Sequence, residues 1–348
     1  LLQSQSQVQS QALPTGQNLP QQSPSNRSFA SAKRMISTNQ MDESIWLKYR
    51  NLGIGASDAS TALGLNPFKS QLELWLEKTG RITPTQPDMN QDSPLVWGTV
   101  LEPIVAEQYA KRTGRKVRRV NSILQHSEHP WMLTNLDRQI VGDEAVQILE
   151  CKTAGLYSAK HWDNGVPEYI QLQVQHQLAV TGLQAADVAV LIAGQQLQIH
   201  RIERDEVLIA HLIKLESAFW HRVENNIPPP ADASASSERA LRLLYPKDKV
   251  ESIDLSADES ANESFEKLLS IRDQLSTLKE KESLLKHTLQ QRLGEASVGS
   301  FKAGRLSWKC AKDSLGFDSK RFQADQPELY QQYLKPKAGS RRFLVQPA

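Results

Sequence analysis

The stretch from Lys116 to Lys152 constrains this chain more than any other. Lys116 to Leu124, Trp131 to Leu133, Leu136 to Val141 and Val146 to Lys152 all read as extended, with His-Pro and Gly-Asp turns between them. Helical patterns bracket this block. Before it, Trp97, Leu101, Ile104, Val105 and Tyr109 fall at helical spacing within a segment that runs from Trp97 to about Thr113. After it, a helix from Glu168 to Thr181 stops at Gly182, and two strands follow, Asp187 to Ala193 and Gln196 to Ile202. A further helix from Asp205 ends before Pro228, Pro229 and Pro230. Helices packed beside a sheet with antiparallel hairpins predict an α/β core.

The flanks differ from this core. Residues 1–40 are rich in Gln and Ser with almost no large apolar side chains, and such a leader is expected to stay disordered. Short helices are expected at Glu43 to Tyr49, Ser57 to Leu63 and Ser70 to Lys78, with Ser57 as an N-cap. From Leu255 to Leu293 the apolar residues Leu268, Ile271, Leu275, Leu278, Leu285 and Leu289 keep a heptad-like rhythm that Glu282 breaks once. The expected organisation is therefore a leader to 40, a core over 41–232 and a helical, coiled extension with a small strand and helix unit over 233–348.

Charge narrows the function. The leader holds Arg27, Lys33 and Arg34 and no acid, which leaves 38 basic against 39 acidic residues in the remainder. A body that is not generally basic must concentrate its positive charge if it binds nucleic acid. Two cysteines without zinc spacing, and no apolar run of membrane-spanning length, fit a cytoplasmic protein without disulfides.

Chemistry is concentrated in Leu149-Glu150-Cys151-Lys152. On a strand Glu150 and Lys152 share one face, and Leu149 and Cys151 share the other. A hairpin through Gly142-Asp143 would bring Asp137 alongside Glu150. Two carboxylates and a lysine at one point suit phosphodiester cleavage. The carboxylates, with the Cys151 carbonyl as a further oxygen ligand, can hold a hard cation such as Mg²⁺. The lysine can position water or offset developing negative charge. The plainer reading is a solvated strand face. Glu102, on the flank of the buried helical stripe, is a further carboxylate candidate, against a salt bridge to Lys111 or Arg112. Lys111, Arg112, Arg115, Lys116, Arg118 and Arg119 form an acid-free cluster able to hold phosphates, against a solvated helix end. Arg50 and Ser57 frame a Gly-rich stretch whose following helix start could bind an anion.

Several strings then resemble one family in their order: Gly-Ile-Gly-Ala-Ser-Asp at 53–58, Leu-Gly-Leu-Asn-Pro-Phe at 63–68 and Leu-Glu-Leu-Trp-Leu-Glu-Lys-Thr-Gly at 72–80. Trp-Gly-Thr-Val-Leu-Glu-Pro at 97–103, Asn-Leu-Asp-Arg at 135–138, Leu-Glu-Cys-Lys-Thr-Ala at 149–154 and Gln-Val-Gln-His-Gln-Leu-Ala-Val-Thr-Gly at 173–182 continue the series. Together they resemble the YqaJ-type viral recombinases, relatives of phage lambda exonuclease among the PD-(D/E)XK nucleases. The resemblance spans roughly residues 44–230, and more loosely the long helix and the tail at 340–343.

That resemblance implies a restriction-endonuclease-like α/β core and a 5′-to-3′ exonuclease. It implies Mg²⁺, with Mn²⁺ as a substitute and two ions as the full complement. The substrate would be double-stranded DNA ends. A single-strand annealing protein of the RecT or Bet kind would receive the 3′ strand, and the assembly would be a homo-oligomer, a ring-shaped trimer. By position it implies Asp137, Glu150 and Glu102 as metal ligands, Lys152 as the catalytic lysine, and Gln173 and Gln175 beside them. Arg50 and Ser57 would grip a 5′ phosphate, with Asn135, Arg118 and Arg119 as further DNA contacts. His176-Gln177 replaces a position where an aromatic is common, and Asn135 one where a hydroxyl can occur. Two rival readings remain: an endonuclease of the same fold, and a silent DNA-binding module.

Overall fold

A computed structural model describes residues 32–84, 92–337, 339 and 341–346. Most of the leader, and Ser340 of the tail string, lie outside the described residues. The chain divides into two compact units, the first ending at Leu244 and the second beginning at Tyr245.

The first unit opens with β1 (Ala32–Ser37), which corrects the expectation of disorder through residue 40. Helix α1 (Glu43–Arg50) starts on its Asp42 cap, and β2 (Ile54–Gly55) follows. A 3-10 turn (Ala56–Asp58) leads into the single-turn α2 (Ala59–Ala62). Ser57 therefore lies inside a turn and is not an N-cap. Helix α3 (Gln71–Lys78) is capped by Ser70, and α4 (Pro94–Thr113) by Ser93, with Gly114 closing α4 in the left-handed conformation.

The predicted extended run from Lys116 to Leu124 is two strands in two sheets. β3 (Lys116–Arg118) and β4 (Ser122–His126) are separated where Val120 turns into the core. β5 (Met132–Thr134), β6 (Arg138–Val141) and β7 (Ile148–Ala154) follow, then α5 (Glu168–Thr181), β8 (Ala185–Ile192), β9 (Gln196–Glu203) and α6 (Glu206–Glu224). The main sheet has the order β3-β6-β7-β8-β9. Its β7–β8 pair is parallel and the other pairs are antiparallel, so the sheet is mixed. A second sheet has the order β1-β4-β5-β2, with β2 parallel to β5.

Helices cover both faces of the main sheet. Val105, Ala106 and Tyr109 of α4 pack on Leu149, Cys151 and Ala189. Ile170, Val174 and Leu178 of α5, with Leu212 of α6, cover Ile148, Val188 and Val190 on the opposite face. The Tyr109 hydroxyl donates to Asp187 Oδ2 at 2.6 Å, which fixes α4 across the sheet. Trp97 and Ile104, expected on the buried stripe of α4, are about half exposed, because α4 meets the sheet through the narrower ridge of Val105, Ala106 and Tyr109.

After the proline run the chain returns to this unit. Helix α7 (Ala235–Leu244) places Ala240 in a cluster with Leu72, Trp75 and Phe219, and the Ser236 hydroxyl accepts from Ser70 N at 2.8 Å. The core therefore extends past residue 232 to Leu244.

The second unit contains α8 (Glu259–Leu293), a hairpin of β10 (Val298–Phe301) and β11 (Gly304–Ser307), and the short helices α9 (Ser319–Asp325) and α10 (Pro327–Gln332). No residue of α8 is buried, and Ile271, Leu275, Leu278 and Leu285 of its heptad-like pattern are exposed among the described residues. Among the described residues no helix is long and apolar enough to cross a membrane.

Candidate active site

Antiparallel pairing of Arg138 with Leu149 and of Gln139 with Ile148 sets the hairpin register, and one step further brings Asp137 opposite Glu150. The Asp137 carboxylate accepts from Cys151 N at 2.8 Å. Strand alternation puts Glu150 and Lys152 on the face beneath α5, and Leu149 and Cys151 on the face beneath α4. This excludes a solvated strand face, because Glu150 is only 2% exposed.

A buried carboxylate needs donors. Lys152 Nζ lies 2.7 Å from Glu150 Oε1, and Gln173 Nε2 donates to the same oxygen at 2.6 Å. Gln177 Nε2 donates to Oε2 at 2.7 Å. Gln173 also accepts from Lys152 Nζ at 3.0 Å, which closes a ring of three side chains. Of the two glutamines expected beside the site, Gln173 contacts Glu150 and Lys152, and Gln175 contacts neither. Gln175 donates to Glu203 O and accepts from Asp205 N, and so ties α5 to the β9–α6 junction. Gln177, four residues after Gln173, is the second glutamine of the site. Helical spacing was the signal that could have found it.

Electrostatics reinforce this geometry. Burial, then the charge of Glu150, pushes the Asp137 pKa up to about 8. For Lys152, burial alone would lower the pKa, but Glu150 and Asp137 outweigh it and raise it. Two carboxylates in one buried place favour a bound cation, which would let both ionise.

Glu102 meets neither Lys111 nor Arg112. Its carboxylate accepts from Arg138 Nη1 at 2.5 Å, and the same nitrogen donates to Asp137 O at 2.6 Å. Glu102 therefore borders the site through Arg138. Among the described residues no group of three His, Cys, Asp or Glu side chains is arranged to hold a metal. Asp137 and Glu150 are the carboxylate pair, and the remaining ligands would be backbone, water and substrate, as is usual for Mg²⁺. A carboxylate oxygen can accept more than one contact, so Glu150 Oε2 and Asp137 Oδ2, each with one donor in hand, fit that role.

Arg50 and Ser57 also meet: Arg50 Nη2 donates to Ser57 Oγ at 2.7 Å. Two companions complete the cluster, Asp58 and Lys78. Asp58 accepts from Arg50 at 3.1 Å and lies 2.8 Å from Lys78 Nζ. Burial would raise the Asp58 pKa, but Arg50, Lys78 and Lys69 outweigh it and hold the carboxyl far below its usual range. Two cations share one carboxylate here, so the cluster keeps positive charge. Gly53 has a structural task. A Cβ there would lie 2.3 Å from Trp131 O, the carbonyl that accepts from Ile54 N to seat β2 on β5.

The basic cluster is partly neutralised by acids from elsewhere. Lys111 pairs with Glu107 and Arg115 with Asp143, while Arg112 donates to Leu197 O. Arg118 forks onto Gln139 Oε1, and Arg119 is exposed just beyond β3, beside the hairpin. Asn135 is exposed and donates to Ser122 O. His176 is fully buried between Glu216 Oε1 at 2.8 Å and Leu133 O at 3.0 Å. The carbonyl can only accept, so Nε2 carries a proton and the imidazole bridges α5 to α6 and β5.

Residues 45–184 match the YqaJ-like viral recombinase domain. The YqaJ protein of Bacillus subtilis (strain 168) is 36% identical over 317 residues, which cover 90% of this chain and 97% of that one. The chain belongs to the YqaJ-like viral recombinase family. Among solved structures, the alkaline exonuclease LHK-Exo of Laribacter hongkongensis is 25% identical, with 53% of this chain and 94% of that one covered at a TM-score of 0.45. A phage-related exonuclease of Haemophilus somnus 129PT is 11% identical, covering 52% and 98%, with a TM-score of 0.39. The Asp137, Glu150 and Lys152 strings lie inside the recombinase domain.

Proposed function

We propose that this YqaJ family member is a divalent-metal-dependent nuclease that degrades one strand of linear duplex DNA from its 5′ end and leaves a 3′ single strand. The observation that carries this reading is the convergence of Asp137 and Lys152 on the buried Glu150 across one hairpin. Membership of a recombinase family supports it, since recombination consumes single-stranded ends.

Asp137 and Glu150 would hold Mg²⁺ (or Mn²⁺), with the Cys151 carbonyl as a further ligand. A bound divalent cation would polarise the scissile phosphate and lower the pKa of the attacking water. Lys152 orients that water and offsets charge growing on the phosphate. Gln173 and Gln177 hold Glu150 in place. Glu102 would serve a second ion only after exchanging Arg138 for it. Arg50 and Ser57 anchor the 5′ phosphate, and Arg119 and Asn135 guide the strand. A single-strand annealing protein as recipient of the product and a ring-shaped homo-oligomer belong to the same proposal.

The test is digestion of linear duplex labelled at the 5′ or the 3′ end, with Mg²⁺ or with chelator, beside a covalently closed plasmid. The expected result is Mg²⁺-dependent release of the 5′ label first, with the plasmid intact. Cutting of the closed circle would favour an endonuclease of the same fold.

A further inference from the structure

An exposed aromatic ring packs against the helix that lines the candidate active site. Phe68, in the loop between α2 and α3, is 67% exposed. The loop holding it is pinned. Asn66 Oδ1 accepts from Phe68 N at 2.8 Å and from Lys69 N at 3.2 Å, and Asn66 Nδ2 donates to Ser60 Oγ at 3.1 Å. The Phe68 ring meets Tyr169 with centroids 5.7 Å apart and planes at 90°. That contact leaves at least one Phe68 face uncovered by Tyr169.

Tyr169 connects this ring to the site. It lies one helical turn before Gln173 and two before Gln177, the two side chains through which α5 holds Glu150. The three residues share the face of α5 turned toward β7, where Gln173 also accepts from Lys152 Nζ at 3.0 Å. The chain has thus placed an open aromatic surface against the helix whose next turn contacts Lys152 and Glu150. Scattered surface aromatics are ordinary. A ring carried on a hydrogen-bonded loop, and in T-shaped contact with a residue of α5, is organised for contact.

We propose that Phe68, braced by Tyr169, is a nucleobase-stacking subsite for the terminal nucleotide of the strand being cut. This rests on the nuclease reading above. Every base presents a π-face, so stacking grips DNA without preference for sequence, as an exonuclease requires. The subsite would hold the base while Lys152 and the carboxylates act on the adjoining phosphate.

The experiment compares linear duplexes whose terminal 5′ nucleotide carries a normal base or an abasic analogue, cut by wild type, Phe68→Ala and Phe68→Trp. For wild type, loss of the base should lower kcat/KM about tenfold. Phe68→Ala should lower kcat/KM about tenfold on the normal duplex and show no further loss on the abasic one. Phe68→Trp should retain the discrimination. Equal slowing of both substrates by Phe68→Ala would make the ring structural and overturn the subsite, and so would no slowing of either. Failure of wild type to cut any duplex with Mg²⁺ or Mn²⁺ would instead overturn the nuclease reading itself, and the subsite with it.

Discussion

Gln177 reaches from the buried side of α5 to donate its amide to Glu150 Oε2 at 2.7 Å. The carboxylate is thereby held from one side by Gln177 and from the other by Lys152 and Gln173. A divalent cation bound there would inherit this orientation, which gives Gln177 a positioning role in the proposed site.

Gln177→Ala removes a donor from a buried carboxylate. Loss of such an outer partner typically costs about 10–100-fold in activity or metal affinity. We expect a fall of that size, with the Mg²⁺ concentration for half-maximal rate shifted upward. Gln175→Ala should leave the Mg²⁺ dependence near wild type, because Gln175 serves the β9–α6 junction. Titration of Mg²⁺ against rate for both variants decides between the two glutamines.

How much of this was legible follows from how each feature is written. The Asp137–Glu150 hairpin could be read because strand alternation has period two and turn residues mark its ends. Gln177 was missed because α5 is buried on nearly all sides, so its pattern does not mark the face that meets Glu150. Residues 173 and 175 lie on opposed faces of a helix, whereas 173 and 177 align. β1 was missed because Ala-Lys-Arg-Met-Ile-Ser is held through its backbone to β4, which composition does not record. Asp58 went unnoticed because its value lies in Lys78, twenty residues away.

Asp58 gives stability a pH dependence. Its folded pKa lies far below that of an unfolded aspartate, where Arg50, Lys78 and Lys69 overcome the burial that would raise it. The unfolded state therefore binds more protons in acid. The contribution is complete above about pH 4 and fades as pH falls further. Asp58→Asn should flatten the acid limb of a urea-unfolding series taken from about pH 7 to about pH 3. An unchanged acid limb would show that Asp58 is not the titrating group.

Deleting residues 1–40 removes β1 and uncovers the edge of β4. β4 pairs with β5, which leads into Asp137. The truncated chain should melt several degrees lower, on the order of 1–2 kcal/mol of stability. A chain starting at Ala32 keeps β1 and should melt higher than one starting at Met41. Thermal unfolding of the two truncations side by side checks this.

Arg50→Ala should erase most of the preference for 5′-phosphorylated over 5′-hydroxyl duplex ends. The charge-assisted contacts that Arg50 would give a terminal phosphate are worth on the order of 1.5–3 kcal/mol, or roughly one to two factors of ten in rate. Arg50→Lys keeps the charge but loses the planar fork, and should recover only part. Equal slowing on both ends would show that Arg50 acts through its ion pair with Asp58 alone.

Glu150 and Lys152 are the centre of the proposed chemistry, and its most direct test is digestion of 5′-labelled linear duplex with Mg²⁺ by wild type, Glu150→Ala and Lys152→Ala. DNA-end binding is measured in parallel. The predicted result is loss of digestion by about 10²–10³-fold or more in each variant, with end binding retained. Near-wild-type digestion by either variant would contradict the account.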